Sequence, residues 1–249
     1  MSGHSKWATI KRKKGAADAK RSNLYAKLLR AIEVAAREGG GNVAGNMTLA
    51  SAVEKARSYS VPVDNIERAI KRGSGEESGG ARYEEVTYEG YAPGGIALIV
   101  EALTDNRNRT AQEVRHAFTR NAGNLGENGS TLWMFHRKGV IVVEKDRAPG
   151  EEQLLELALE GGADDVGDSE SSWDIITDPS AFTQVKEALE SAGVEVFSAE
   201  ISMVPQTTIP VAGTEARKVL ELVEALEDLD DVQNVYANFD IPEEVMASL

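Results

Sequence analysis

The spacing of apolar residues predicts three helices in the first third of the chain. In each, apolar residues recur three and four positions apart, as they do along one face of an α-helix. The inward-facing positions are Leu24, Leu28, Ile32 and Ala35, then Leu49, Ala52, Val53 and Ala56, then Ile66, Ala69 and Ile70. Three glycines after Glu38 end the first helix, and Asp64 and Glu67 have the spacing of a capping pair in the third.

The opposite faces of two of these helices are basic. Lys20, Lys27, Arg30 and Arg37 lie across the first helix from its apolar side. Arg68, Lys71 and Arg72 lie on the outer side of the third. We therefore predict that these side chains point to solvent.

After the third helix the period of the apolar pattern changes to two. Gly73–Gly80 is rich in glycine and serine, which predicts a flexible linker. Beyond it, Tyr83–Tyr91 and Ile96–Leu103 predict two strands of a hairpin around a Pro-Gly-Gly turn. Thr110 is placed to cap a helix that follows and runs to about Asn121.

Residues 139–199 predict the element order β-α-β-β-α-β, which is typical of a ferredoxin-like domain. The elements are Gly139–Lys145, Glu151–Glu160, Ala163–Val166, Trp173–Thr177, Ser180–Ala192 and Val194–Ala199. A helix at Gly213–Leu226 and a strand at Val232–Asp240 follow. Because the earlier hairpin lacks partners for a closed sheet, we expect the C-terminal strand to return to it.

The fold class predicted is therefore α+β and multi-domain: an N-terminal three-helix domain, then two α+β domains of which the third is ferredoxin-like. The predicted boundaries are 1–78 for the helical domain, 79–131 with 205–249 for a discontinuous domain, and 132–204 for the inserted one.

Charge is distributed very unevenly along the 249 residues, whose formal net charge is −14. Residues 1–80 hold 15 basic and 8 acidic side chains, whereas the remainder holds 12 basic and 33 acidic ones. The density is highest in Gly3–Arg30, here called the basic segment, where Asp18 is the only acid. Its basic residues are Lys6, Lys11, Arg12, Lys13, Lys14, Lys20, Arg21, Lys27 and Arg30.

Such a segment repels itself and is favoured where a partner supplies negative charge, which nucleic-acid phosphate does. We therefore predict that its nine basic residues bind nucleic acid. Trp7, between the first two lysines, either packs on the domain or stacks on a base. The alternative is a solvated basic face on a small helical domain, with Trp7 buried.

The segment Asp105–Arg109 is a second candidate contact. Arg107 and Arg109 offer planar forks suited to phosphate, which makes a secondary nucleic-acid contact one interpretation. The other is a loop held by asparagine turns and internal arginine–carboxylate pairs. The residues alone favour neither.

The chemistry of an enzyme is not evident. The chain has no cysteine, and His4, His116 and His136 lack metal-ligand spacing. His116 is predicted to be a partly buried helix residue, and acidic clusters such as Asp164-Asp165 and Asp228-Asp230-Asp231 to be solvated. We expect no catalytic residues, no cofactor and no metal, no small-molecule substrate, no membrane partner, and a cytoplasmic location.

Four blocks of the chain resemble one known family. They are GHSKWATIKRKKGAADAKR near the N-terminus, VPVDNIERAIKRG at 61–73, YEGYAPGGIALIVEALTDNRNRTAQEVRHAF at 88–118 and WMFHRKGVI at 133–141. In this order they are similar to the YebC/PmpR family. That resemblance implies a helical domain followed by two α+β domains. It also implies a function in gene expression, because members of the family are regarded as DNA-binding regulators of transcription. Other members act on translation at the ribosome, for example at proline runs.

Two functions remain open at this point. One is a DNA-binding transcriptional regulator, for which a helix-turn-helix in the helical domain is possible although no base-reading residue is specified. The other is an RNA-binding, ribosome-associated translation factor that relieves stalling. A protein scaffold acting through its acidic domains is a third, which requires that neutralising the basic segment leave function intact.

Overall fold

The computed structural model describes residues 18–76, 82–242 and 245. These residues form two compact units. One contains the described residues up to 128 together with 217–235, and the other contains 129–216 and the described residues from 236 onward. The three domain boundaries given above stay predictions.

The elements are numbered in chain order. The helices are α1 (Asp18–Gly39), α2 (Met47–Ser58), α3 (Val63–Ser74), α4 (Arg107–Arg120), α5 (Glu151–Gly161), α6 (Phe182–Ser191) and α7 (Gly213–Glu227). The strands are β1 (Glu84–Ala92), β2 (Ile96–Thr104), β3 (Asn124–Leu125), β4 (Phe135–Glu144), β5 (Asp165–Asp168), β6 (Ser172–Thr177), β7 (Ser198–Pro205), β8 (Ile209–Pro210), β9 (Val232–Ala237) and β10 (Phe239–Asp240).

Helices α1 to α3 form the predicted bundle, with apolar residues at helical spacing in its core. Asn46 joins two of the helices, because its side chain accepts from Leu49 N to cap α2 and donates to the carbonyls of Ala35 and Gly40 at the end of α1. The predicted cap at Asp64 is wrong. Helix α3 begins at Val63 directly after Pro62, and no side chain caps it.

Gly73 is a packing residue rather than the start of a linker. Helix α3 continues to Ser74, and a Cβ atom at Gly73 would lie 2.4 Å from the carbonyl oxygen of Glu33 on α1. Only a residue without a side chain permits this close approach of α1 and α3. The solvent position predicted for Arg72 is also wrong, since its guanidinium pairs with the carboxylate of Glu33. The rest of the predicted linker, residues 77–80, lies outside the described residues.

The sheet of the first unit has the strand order β3-β1-β2-β9. The predicted hairpin is present, with Ala92 opposite Ile96 beside its turn and Glu84 opposite Thr104 at its far end. Strand β9 lies next to β2, so the C-terminal strand does return to this sheet. Strand β2 is consequently almost entirely buried.

The second unit contains a sheet with the order β5-β6-β4-β7, in which every pair is antiparallel. With α5 between β4 and β5 and α6 between β6 and β7, this is the predicted ferredoxin-like topology. Its last strand was placed too early, at Val194–Ala199. Val194 instead closes the core after α6, its N–H donating to the carbonyl of Leu189, and pairing with β4 begins at Ser198 opposite Val142.

Candidate nucleic-acid interface

The structure describes only part of the basic segment. Lys6, Lys11, Arg12, Lys13 and Lys14 lie outside the described residues, as does Trp7. Lys20 falls within α1, and Arg21 beside it is exposed. The two remaining members, Lys27 and Arg30, have a different environment.

Lys27 and Arg30 do not face solvent, which corrects the prediction made for them. Lys27 is only 8% exposed, and its ammonium donates to the carbonyl of Glu227 at the end of α7. Arg30 donates to the carbonyls of Asp230, at 2.8 Å, and Leu103, at 3.2 Å. The side of α1 opposite the bundle core therefore packs on the segment between α7 and β9, which an isolated helical pattern does not reveal.

Asp231 receives hydrogen bonds from three elements of this unit and is only 3% exposed. Its Oδ1 lies 3.1 Å from a guanidinium nitrogen of Arg30 on α1. Its Oδ2 lies 2.7 Å from Arg109 and 2.7 Å from the hydroxyl of Thr110, both on α4. The hydroxyl of Thr104, at the end of β2, is 3.1 Å from the same oxygen. Asp231 is therefore a structural residue, and the prediction that its acidic cluster is solvated is wrong for it.

The pKa of Asp231 reflects two opposing effects. Burial raises it, but hydrogen bonds from Arg109, Thr110 and Thr104 favour the charged form and leave the pKa below its ordinary value of 3.8. The carboxylate is thus ionised at neutral pH, where it holds α1, β2 and α4 at the start of β9.

The two arginines of the Asp105–Arg109 segment have different roles in the structure. Arg109 pairs with Asp105 at 2.8 Å as well as with Asp231. For Arg109, the interpretation as part of a loop held by internal arginine–carboxylate pairs is therefore the one that agrees with the structure. Arg107 is exposed, and its contact with Glu84, at 3.8 Å between exposed side chains, is weak. A nucleic-acid contact by Arg107 stays a prediction. The residue that caps α4 is Asn106, whose side chain accepts from Arg109 N, and not Thr110 as predicted.

Three further cations of the bundle are candidate contacts for nucleic acid that were not among the predicted site residues. Arg57 on α2 and Arg68 and Lys71 on α3 are exposed. No carboxylate lies within 4.0 Å of them among the residues that the structure describes. Their position on the outer faces of amphipathic helices was the sequence signal that could have identified them.

Removal of the Lys27 charge should lower stability rather than binding. In Lys27→Met the apolar stem is kept, but the carbonyl of Glu227 loses a charged donor. We expect the free energy of unfolding in urea to fall by about 1.5–3 kcal/mol. Arg21→Met, on the exposed part of the same helix, is the matched control and should stay within about 0.5 kcal/mol of the wild type. Equal effects of the two changes would contradict the buried role of Lys27.

The described residues contain no group of three acidic or histidine side chains that could hold a metal ion. Nor do they contain a helix long and apolar enough to cross a membrane. His116, predicted to be partly buried, is exposed on α4, as is His136 on β4.

Comparison with known protein families agrees with this architecture. Residues 5–76 match the model of the TACO1/YebC N-terminal domain, and residues 83–239 match the model of the TACO1/YebC second and third domains. The chain belongs to the TACO1/YebC family. The resemblance noted on four blocks of sequence is thereby confirmed.

Relatives in this family are similar over the whole chain. A probable transcriptional regulatory protein of Rubrobacter xylanophilus is 56% identical, over 100% of this chain and 99% of its own. One of Syntrophus aciditrophicus is 54% identical with the same coverage. The crystal structure of a conserved hypothetical protein from Aquifex aeolicus has a TM-score of 0.81 and 50% identity, over 92% of this chain and 93% of its own. The fold is thus shared with this structure over 92% of the chain.

Proposed function

We propose that the protein is a non-enzymatic, nucleic-acid-binding regulator of gene expression. The observation that carries the proposal is the separation of charge: residues 1–80 have a net charge of +7, and the remaining residues one of −21. A strongly acidic protein gains nothing from concentrating its cations at one end unless an anionic partner binds there. The names of the relatives, which call them probable transcriptional regulatory proteins, support the same class of function.

The contact is formed by the basic residues of the N-terminal region. We assign it to the basic segment, without Lys27 and Arg30, whose charged groups bind backbone carbonyls between Leu103 and Asp230, and to the exposed cations of α2 and α3. Arg107 is a secondary contact in this proposal. All of these side chains act through phosphate, by charge and by release of counterions, which gives affinity but little sequence preference.

DNA is the first candidate for this partner, as the names of the relatives suggest. The protein would then act as a DNA-binding regulator of transcription. The acidic remainder of the chain would repel the duplex, so the protein must approach with its N-terminal region.

The ribosome is the second candidate, and the charge of −21 outside residues 1–80 favours it. That charge contributes nothing to docking on a duplex. On a ribosome, where RNA lies beside basic proteins, the basic segment and the acidic regions both find complementary surfaces. The protein would then act on translation rather than on transcription.

Co-sedimentation with intact ribosomes in the presence of excess duplex DNA tests both candidates. If the protein sediments with ribosomes and duplex does not displace it, the translational function is supported. If duplex displaces it, or if it binds duplex and never sediments, the transcriptional function is supported. A protein that binds neither ribosomes nor duplex would contradict the proposal and leave the scaffold as the remaining alternative.

A further inference from the structure

Trp133 is an exposed aromatic residue that the basic segment does not explain. It lies in the ferredoxin-like unit, in the single helical turn Leu132–Met134 just before β4, and 65% of its surface is exposed. A tryptophan is usually placed so that most of its large apolar surface is buried. The only other tryptophan that the structure describes, Trp173, follows that rule at 8% exposure.

Several hydrogen bonds hold the turn that carries Trp133. The indole N–H donates to the carbonyl of Ser130 at 3.1 Å, and the N–H of Met134 donates to Thr131 at 2.9 Å. Gln206, which directly follows β7, holds the turn from the other side. Its backbone N–H donates to the carbonyl of Met134 and its side-chain amide donates to the carbonyl of Trp133, both at 2.8 Å. The ring is therefore presented on an ordered backbone, so little further ordering is needed when a partner binds.

The hydrogen bond to Ser130 also limits what Trp133 can recognise. Because the indole has one donor and no acceptor, and that donor is already used, only the π-surface of the ring remains available to a partner. A π-surface binds another flat ring by stacking or a cation by charge. Stacking on a base requires that the base be unpaired, because paired bases are stacked on one another.

One cation close to Trp133 in the sequence is available to an anionic partner, within a region that is acidic as a whole. Residues 129–216, all of which the structure describes, contain 17 acidic and only five basic side chains. Lys138, Lys145, Arg147 and Lys186 each pair with a carboxylate. Arg137 is exposed and, among the described residues, has no carboxylate within 4.0 Å.

Arg137 follows Trp133 by four residues, so their Cα atoms are at most about 14 Å apart. Both side chains are long, and together they offer a ring for a base and an unpaired guanidinium for a phosphate of the same strand. A protein partner is a poorer match, since a specific interface buries about 800 Å² on each side. The exposed large apolar residues of this turn are only Leu132 and Trp133.

We propose that Trp133 and Arg137 form a contact for an unpaired base of single-stranded RNA. RNA is the expected source because its loops and bulges present unstacked bases, whereas cellular DNA is mostly duplex. The inference rests on the proposed nucleic-acid-binding function and extends it to the ferredoxin-like unit. Since this unit is acidic, the contact adds to the affinity of the basic segment and does not replace it.

The test uses the full chain and a labelled, unstructured oligouridine, with an RNA duplex of the same length as the comparison. Trp133→Ala should weaken oligouridine binding about 5- to 150-fold, the usual effect of losing one stacked base. It should leave the salt dependence and duplex binding unchanged. Trp133→Phe keeps a ring and should retain most of the affinity, and Arg137→Ala should lower the slope of log affinity against log salt by about 0.7.

Leu159→Ala is the matched control, because Leu159 on α5 is also a large exposed apolar residue, at 55%. It should bind like the wild type. The inference is overturned if Trp133→Ala also binds like the wild type, or if it weakens duplex binding to the same extent. If either result is found while charge reversal in the basic segment abolishes binding, the inference fails and the proposed function stands. A wild type that binds neither RNA overturns the proposed function as well.

Discussion

Asp231→Ala should lower the free energy of unfolding by about 3–5 kcal/mol, the largest effect on stability that we expect from a single change outside the apolar core. The substitution leaves the guanidinium groups of Arg30 and Arg109 without the carboxylate that both contact. It also removes the charged acceptor of the Thr110 hydroxyl, which is buried. Because α1, α4 and the end of β2 all contact this carboxylate, urea unfolding of the whole chain is the appropriate measurement.

The neighbouring residue provides the control. Asp230→Ala makes the same change of charge one position away, at a side chain that is exposed and whose structural contact is made by its backbone carbonyl. We expect an effect within about 0.5 kcal/mol. If the two substitutions were equally harmless, the carboxylate of Asp231 would not be the structural centre described here.

The same carboxylate should make stability depend on pH in the acid range. Because the pKa of Asp231 is lower in the folded chain than its ordinary value of 3.8, the unfolded state takes up a proton first as the pH falls. The contribution of the Asp231 carboxylate to the free energy of unfolding is complete above pH 3.8, and it disappears as the pH falls through the lower pKa of the folded state. Asp231→Asn should therefore lose less stability than the wild type when the pH is lowered from 5. An equal loss of stability in the two proteins would argue against this role.

Reversal of three charges in the basic segment should have the largest effect on binding. With Lys11→Glu, Lys13→Glu and Lys14→Glu combined, we expect much weaker binding to nucleic acid. If each lysine contacts one phosphate, the slope of log affinity against log salt should fall by about 2.7 on duplex DNA, or about 2.1 on a single strand. Titrations at several salt concentrations measure this slope directly.

A second triple variant separates this local effect from that of net charge. Arg115→Glu, Arg217→Glu and Lys218→Glu change three exposed cations elsewhere and give the same total charge. Binding should fall only slightly and the slope should hardly change. Equal losses in both variants would mean that binding responds to net charge, and an unchanged slope in the first would mean that the basic segment is not the contact.

The local elements of the fold could be predicted from sequence because their causes are local. The period of the apolar residues gave the three helices of the bundle, and the alternation in β1 gave one strand of the first sheet. The ferredoxin-like topology followed from element order, since few arrangements of β-α-β-β-α-β bury both helices on one sheet. These features require no knowledge of distant partners.

The errors at Lys27, Arg30, Asp231 and Gly73 concern residues whose partners are distant in sequence. Lys27 and Arg30 look like a solvent face until the chain beyond α7, some 200 positions later, packs on them. Asp231 looks like one of several loop acids for the same reason. Gly73 resembles the start of a linker because nothing in the sequence shows how closely Glu33 approaches it. The helix caps were local errors instead: no side chain caps α3, and Asn106 caps α4, since asparagine is as good a helix cap as threonine or better.

The position of β9 beside β2 has a consequence for the order in which the newly made chain can fold. Thr104 and Asp231, which meet in the finished protein, are 127 positions apart, and the whole ferredoxin-like segment is synthesised between them. At 5–20 residues per second this interval lasts roughly 6–25 s. During it, the ferredoxin-like segment can complete all four of its strands, whereas the earlier hairpin waits with one edge of β2 unpaired. The segment that leaves the ribosome later can therefore complete its sheet first, and the sheet that contains the earlier hairpin is completed only after β9 has been synthesised.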